Sequence, residues 1–153
     1  MSSHPTIVLV LGAFQLPSAM NFLSQHLQQA GYPTRIKGQA TVNQPTLSIQ
    51  DDVTALQNEI LFPLIHEQGK DVVLYLQSYA GFPGSAAIKE LSKAERLDAR
   101  KQGGIVGLIY QSAFVPQEGQ TVYGMVGGSP APWQRPGVPS LFPSRVLKIG
   151  HSI

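Results

Sequence analysis

The chain has 153 residues, of which 42% are hydrophobic and 13% are charged, and its net charge is +2. This length and composition are typical of one globular domain rather than of a disordered chain. The absence of cysteine excludes disulfide bonds, thiolate catalysis and cysteine-type zinc sites. The charge is too small to indicate nucleic acid, the start lacks the basic region of a signal peptide, and no apolar run approaches the roughly 20 residues that span a membrane. We therefore expect a cytoplasmic protein without a nucleic-acid or membrane partner.

Strand and helix patterns alternate along the first two thirds of the chain. The predicted strands cover residues 6–11, 32–36, 71–76 and 104–110, and the predicted helices cover 18–30, 48–69 and 83–102. Continuous apolar runs such as 6–11 are typical of strands that are buried on both faces. Ser48 and Asp51 resemble a capping box, and Pro63 predicts a break late in the second helix. The order predicts an α/β fold, with a parallel sheet of about four strands and helices on both faces.

The character of the sequence changes after residue 116. We divide the chain into a core, residues 1–116, and a tail, residues 117–153, which is rich in Gly and Pro, has little periodicity and contains one short strand candidate, Arg145–Ile149. Before the tail, Lys89, Lys93, Arg96 and Arg100 are spaced to share one helix face. Acidic residues interleave with them, so we interpret this face as solvated rather than as a nucleic-acid site.

Residues 72–81 have the layout of a nucleophile elbow. A buried strand leads through Gln77 to Ser78, and small residues then open a helix. A serine at such a turn is forced outward, and the helix N-terminus behind it favours developing negative charge. Ala80 suits the small position after the serine, whereas Leu76 stands where Gly or Ala is usual. The alternative is that Ser78 only caps the helix at an ordinary turn between a strand and a helix.

A second turn, Gly12-Ala13-Phe14, follows the first predicted strand. Acyl transfer needs two N–H donors directed at the developing oxyanion. In this topology, the turn after the first strand and the residue after the nucleophile are their natural sources. The candidates are the amides of Ala13 and Tyr79, with Gly12 and Phe14 beside the substrate. The alternative is that Gly12 only ends the strand.

Together these segments resemble the small α/β-hydrolase fold-1 proteins, which include plant methylesterases and hydroxynitrile lyases. The matching blocks follow the order and spacing of that family and are residues 12–17, 30–33, 48–53, 69–73, 77–85 and 113–119. The resemblance implies a serine esterase of small esters or related carbonyl compounds, with Ser78 as nucleophile and without a cofactor. Gln77 stands where the family usually has His, and Leu11 where it often has His or Pro.

The carboxyl-terminal part departs from this family, whose members are longer and carry the triad acid and histidine on later loops. Gly150-His151-Ser152 resembles the segment that can carry the base, so His151 is the candidate base. Glu118 follows the fourth strand, where some hydrolases place their acid. The four histidines, His4, His26, His66 and His151, show no metal-ligand spacing, so we expect no metal site.

Two other functions remain open from the sequence. One is a truncated, non-catalytic hydrolase-fold protein that acts as a binding or interaction module. Loss of the later strands would leave strand 104–110 as an exposed apolar sheet edge, which predicts self-association. The other is a flavodoxin-like binding domain, which shares this strand order but would need a phosphate loop that the sequence lacks.

Overall fold

The computed structural model describes residues 4–44 and 46–128. Strands and helices alternate along these residues as the sequence predicts. The strands are β1 (Thr6–Val10), β2 (Thr34–Lys37), β3 (Asp71–Gln77) and β4 (Gly104–Gln111). The helices are α1 (Asn21–Gln29), α2 (Ile49–Leu56), α3 (Gly81–Ala87), α4 (Lys93–Asp98) and α5 (Val122–Met125). A short 3-10 turn, Pro17–Met20, leads into α1.

The four strands form one parallel sheet in the order β2-β1-β3-β4. Val8 of β1 pairs with Leu74 of β3, so the two central strands lie side by side. Both strands are rich in buried apolar residues, as expected for a parallel sheet with both faces covered. This arrangement confirms the predicted fold class.

Alternate residues of β1 point into two separate cores. Val8 and Val10 pack on the face that α2 and α3 cover, whereas Ile7 and Leu9 pack on the face that α1 covers. The period of two along a strand produces this division. Helices therefore cover both faces of the sheet, as predicted.

The capping box at the start of α2 is confirmed, but the helix is shorter than predicted. The Asp51 carboxylate accepts hydrogen bonds from the Ser48 backbone N–H at 2.7 Å and from its hydroxyl at 2.8 Å. The α-helical part ends at Leu56, and wider π-type turns continue through 57–61 and 63–67. Pro63 lies in this region and has no N–H to donate, so the regular bonding pattern changes around it.

The predicted helix over 83–102 is wrong, because α3 and α4 are separate helices. Glu90 between them has a left-handed backbone, with φ of 61°. The Leu91 carbonyl accepts a bond from the Ile105 N–H at 2.7 Å, and the Ser92 hydroxyl caps α4 by accepting from the Glu95 N–H. The segment between the helices thus pairs with the start of β4 instead of continuing a helix.

Arg96 also differs from the prediction of a solvated basic face. Its side chain is buried and donates to the carbonyl oxygens of Gly103 at 2.8 Å and Gln102 at 2.9 Å. The guanidinium therefore fixes the loop before β4 rather than facing solvent.

Strand β4 lies at one edge of the sheet. Val106 and Ile109 on this strand are 44% and 48% exposed. Within residues 4–44 and 46–128, no strand pairs with its outer side, and the predicted self-association through this edge stays a prediction. No helix among these residues is long and apolar enough to cross a membrane. His151 and the strand candidate 145–149 lie outside the described residues.

Candidate active site

Ser78 lies at the sharp turn between β3 and α3. Its φ is 52°, a left-handed conformation that is uncommon for a residue with a side chain. Strand β3 ends at Gln77, a single 3-10 turn covers Ser78–Ala80, and α3 begins at Gly81. Ser78 is exposed, whereas Tyr79 and Ala80 after it are buried. Residues 77–81, called the Ser78 turn below, thus present one hydroxyl to solvent on a strained backbone.

Leu76 fits this turn because Gly84 makes room for it. A Cβ atom at Gly84 would overlap the Leu76 Cδ2 atom, so the leucine occupies the space that an ordinary helical residue would fill. Leu76 itself is fully buried. The small residue that favours close packing of strand and helix is therefore present, but it lies on α3 instead of two positions before the serine.

The other side of the Ser78 turn packs against Phe114. The Phe114 N–H donates to the Ser78 carbonyl oxygen at 3.1 Å. A Cβ atom at Gly81 would overlap the Phe114 carbonyl oxygen, so the two backbones are in direct contact. The chain that follows β4 therefore supports the strained turn.

Residues 12–14, called the Gly12 turn below, lie against the Ser78 turn. A Cβ atom at Gly12 would lie 3.1 Å from the Ser78 Cβ and 3.6 Å from its Oγ. Phe14 has a left-handed φ of 63° and is 59% exposed. The structure thus brings together the residues singled out for the nucleophile and the oxyanion donors, while their catalytic roles stay predictions.

A buried carboxylate, absent from the sequence predictions, lies behind the Ser78 turn. Asp52 on α2 is 1% exposed. Its Oδ1 accepts the Thr41 backbone N–H at 2.9 Å, and its Oδ2 accepts the hydroxyls of Thr41 and Tyr79, each at 2.9 Å. These three residues are called the Asp52 network below. It joins α2, the loop after β2 and the residue that follows Ser78.

The electrostatics of the Asp52 network keep the tyrosine as a hydrogen-bond donor. Burial raises the pKa of the Asp52 carboxyl above its ordinary value, while the bonds from Thr41 and Tyr79 oppose this shift. Burial, together with the Asp52 charge, also raises the pKa of the Tyr79 phenol. A hydrogen bond to a charged group, such as the one from Tyr79 to Asp52, contributes about 1.5–3 kcal/mol to stability. This is comparable to the roughly 1–3 kcal/mol that a strained backbone residue such as Ser78 costs.

The burial of Asp52 could have been predicted from its position on the apolar face of the helix. Asp52 stands three residues after Ile49 and four before Leu56, so it shares their apolar face. An acid on such a face requires buried donors, because an unpaired buried charge is very costly.

Two glutamine side chains near the Ser78 and Gly12 turns have a buried oxygen without a partner. They are Gln77, next to Ser78, and Gln15, next to the Gly12 turn. Among the described residues neither Oε1 atom accepts a hydrogen bond. Both oxygens are enclosed by protein atoms, so each is a buried acceptor that is unsatisfied among residues 4–44 and 46–128.

A cleft of about 470 Å³ lies at the other end of the sheet. Gly69 and Gln102, which line it, precede β3 and β4. Ser78 follows β3, so this cleft is separated from the Ser78 turn by the length of the strand. Ligands of parallel α/β sheets bind at the carboxyl ends of the strands, which favours the Ser78 turn as the candidate site.

Two fungal proteins are similar to most of the chain, and no protein-family model matches it. The α/β hydrolase nvfD of Aspergillus novofumigatus is 30% identical over 129 residues, which cover 80% of this chain and 48% of that protein. The probable hydrolase R7 of a Phoma species is 24% identical over 130 residues, which cover 82% of this chain and 49% of that protein.

A solved structure shares the fold of this chain over most of its length. It is an extracellular α/β-hydrolase from a Paenibacillus species, described as sharing structural and functional homology with tobacco salicylic acid binding protein 2. The TM-score is 0.59 at 16% identity, and the match covers 77% of this chain and 44% of that one.

This chain has the α/β-hydrolase fold. The alternative of a flavodoxin-like domain is thereby replaced by the fold that two of the three similar proteins, nvfD and the Paenibacillus hydrolase, carry in their names. This α/β-hydrolase-fold chain spans about half the length of the curated relatives that it matches.

Proposed function

We propose that this protein is a serine hydrolase of small esters or related carbonyl compounds, with Ser78 as its nucleophile. The observation that carries the proposal is the exposed serine with a left-handed φ of 52° directly before a helix. The Gly12 turn lies beside it, so we propose the Ala13 amide of this turn as the second oxyanion donor. The relatives named as hydrolases support the same reaction class.

In this reaction the Ser78 Oγ attacks the carbonyl carbon of the ester and transfers its proton to a base. The carbonyl oxygen becomes an oxyanion that the amides of Ala13 and Tyr79 stabilise. The alkoxide takes the proton from the base and leaves as the alcohol. Water then attacks the acyl carbon and gives a proton to the base, and the Ser78 Oγ leaves with that proton, which releases the acid. No cofactor takes part in this scheme.

The proposed base is His151, and this assignment rests on the sequence alone. A serine hydroxyl needs an adjacent base to act as a nucleophile near neutral pH. The segment Gly150-His151-Ser152 resembles the one that can carry the base in α/β-hydrolase fold-1 proteins.

Labelling with a fluorophosphonate probe tests the nucleophile. We expect the purified 153-residue chain to be labelled and Ser78→Ala to lose all labelling, because the probe forms a covalent bond with an activated serine. Ser112→Ala is the matched control, since Ser112 is also exposed, follows β4 and has a left-handed φ of 45°. We expect this control to be labelled like wild type.

The same assay decides the base. We expect His151→Ala to reduce labelling at least 100-fold, because residual catalysis without a triad falls by orders of magnitude. His26→Ala, which changes an exposed histidine on α1, is the control. A folded wild type that takes no label, or labelling that persists in Ser78→Ala, would contradict the proposed function.

A second candidate function is a non-catalytic interaction module that associates with a second copy through β4. The exposed side chains of Val106 and Ile109 favour it, because long apolar edge strands template pairing with another chain. We expect sedimentation to show a concentration-dependent dimer that Ile109→Lys abolishes.

The control for this candidate is Phe22→Lys, which changes an exposed apolar side chain on α1, away from the sheet edge. It should leave the dimer intact. A wild-type chain that stays monomeric up to about 100 µM, where weak association would be visible, would exclude this interface.

A further inference from the structure

Asp52 is a buried carboxylate that the cap of α2 does not use. Asp51, one residue earlier, caps the helix through Ser48. Asp52 faces the core and accepts hydrogen bonds from Thr41 and Tyr79. A buried carboxylate keeps its place only while donors satisfy it, so these contacts fix its position.

The Tyr79 side chain connects this carboxylate to the backbone of the candidate site. Tyr79 is 2% exposed, and its hydroxyl donates to the Asp52 Oδ2 at 2.9 Å. The ring is therefore held both by packing and at its far end. This leaves the peptide between Ser78 and Tyr79 little freedom to rotate.

Thr41 fixes the orientation of the same carboxylate. Its backbone N–H bonds Oδ1 and its hydroxyl bonds Oδ2, so both oxygens of Asp52 are occupied from the loop after β2. The tyrosine hydroxyl thus meets an acceptor that cannot turn away. A two-point attachment of this kind positions a group more tightly than a single bond.

We propose that Asp52 is a positioning residue that holds the Tyr79 amide in place through the Tyr79 side chain. The inference rests on the proposed function for its chemical meaning, because this amide affects the reaction only if Ser78 forms the acyl intermediate. Asp52 does not touch the substrate in this scheme.

Two measurements on the full chain test the proposal. The first is exchange of the Tyr79 amide proton, followed by NMR, which does not depend on catalysis. The second is inactivation by a fluorophosphonate, resolved into its rate constant and its apparent binding constant. The variants are Asp52→Asn and Tyr79→Phe, and Asp51→Asn is the matched control because it changes the neighbouring carboxylate of the same helix turn.

We expect Asp52→Asn and Tyr79→Phe each to accelerate exchange of the residue 79 amide about tenfold. We expect the rate constant of inactivation to fall about tenfold with unchanged probe binding, since loss of a whole oxyanion donor costs 100-fold or more and a displaced donor costs less. The double variant should lose no more than Asp52→Asn alone, because both changes act on the same bond between the Tyr79 hydroxyl and the Asp52 carboxylate. Asp51→Asn should change neither quantity.

A folded Asp52→Asn variant with wild-type exchange and inactivation would overturn the proposal and leave Asp52 a purely stabilising residue. If Asp52→Asn does not fold, Tyr79→Phe decides, since it keeps both Thr41 bonds to Asp52. If wild type is not inactivated at all, the proposed function fails. The exchange measurement then decides by itself whether Asp52 holds the amide.

Discussion

Gly81→Ala is expected to lower the free energy of unfolding by about 3 kcal/mol, at the upper end of the usual cost of inserting a methyl group into a packed core. The added Cβ would overlap the Phe114 carbonyl oxygen, and this oxygen belongs to the backbone, which cannot move aside as a side chain can. The Phe114 N–H also bonds the Ser78 carbonyl, so a shift of Phe114 would disturb the Ser78 turn.

Urea unfolding of the wild-type protein and of Gly81→Ala measures this difference in the free energy of unfolding. Gly107→Ala is the control, because a Cβ there meets its nearest neighbour, a Val73 methyl group, at an ordinary 3.9 Å. It should change the free energy of unfolding by less than about 1 kcal/mol. If Gly81→Ala were as stable as Gly107→Ala, the contact between α3 and the chain after β4 would be wrong.

The second large effect concerns Gly84 and Leu76, which we expect to be coupled. Gly84→Ala alone should destabilise by about 2 kcal/mol, because the new methyl group meets the buried Leu76 side chain. In a Leu76→Ala background the same change should be neutral or stabilising by up to about 1 kcal/mol, since Ala is the better helix former once the space is free.

A double-mutant cycle measures the coupling by urea unfolding of the four proteins. Gly107→Ala, placed in both backgrounds, is the control and should cost the same in each. Additive effects of Gly84→Ala and Leu76→Ala would show that the leucine does not occupy the space beside Gly84.

The element order and the sheet could be predicted because they depend on local patterns. Continuous apolar runs gave three of the four strands to within one residue at each end, and Ser48 with Asp51 gave the start of α2. The boundary between α3 and α4 could not be predicted. It depends on the pairing of Leu91 with Ile105, a tertiary contact that leaves no periodic signal.

The two turns of the candidate site could be predicted from the sequence, whereas the tertiary contacts that support them could not. The spacing around Ser78 located the turn, and Gly12 located its neighbour. The compensation of Leu76 by Gly84 is a contact between a strand and a helix, so it becomes visible only when both elements are placed. Thr41 and Asp52 are likewise separated by a loop whose path the sequence does not specify.

The pairing of β1 with β3 has a consequence for the order of folding. Thr6 pairs with Val72, so the ends of a long intervening chain must meet before these strands can bond. Closing a long loop costs entropy before any contact repays it, and parallel pairs of distant strands therefore form slowly. The Gly12 and Ser78 turns adjoin only after this step. A chain emerging from the ribosome thus acquires its candidate site when β3 docks, however early α1 and β2 have formed.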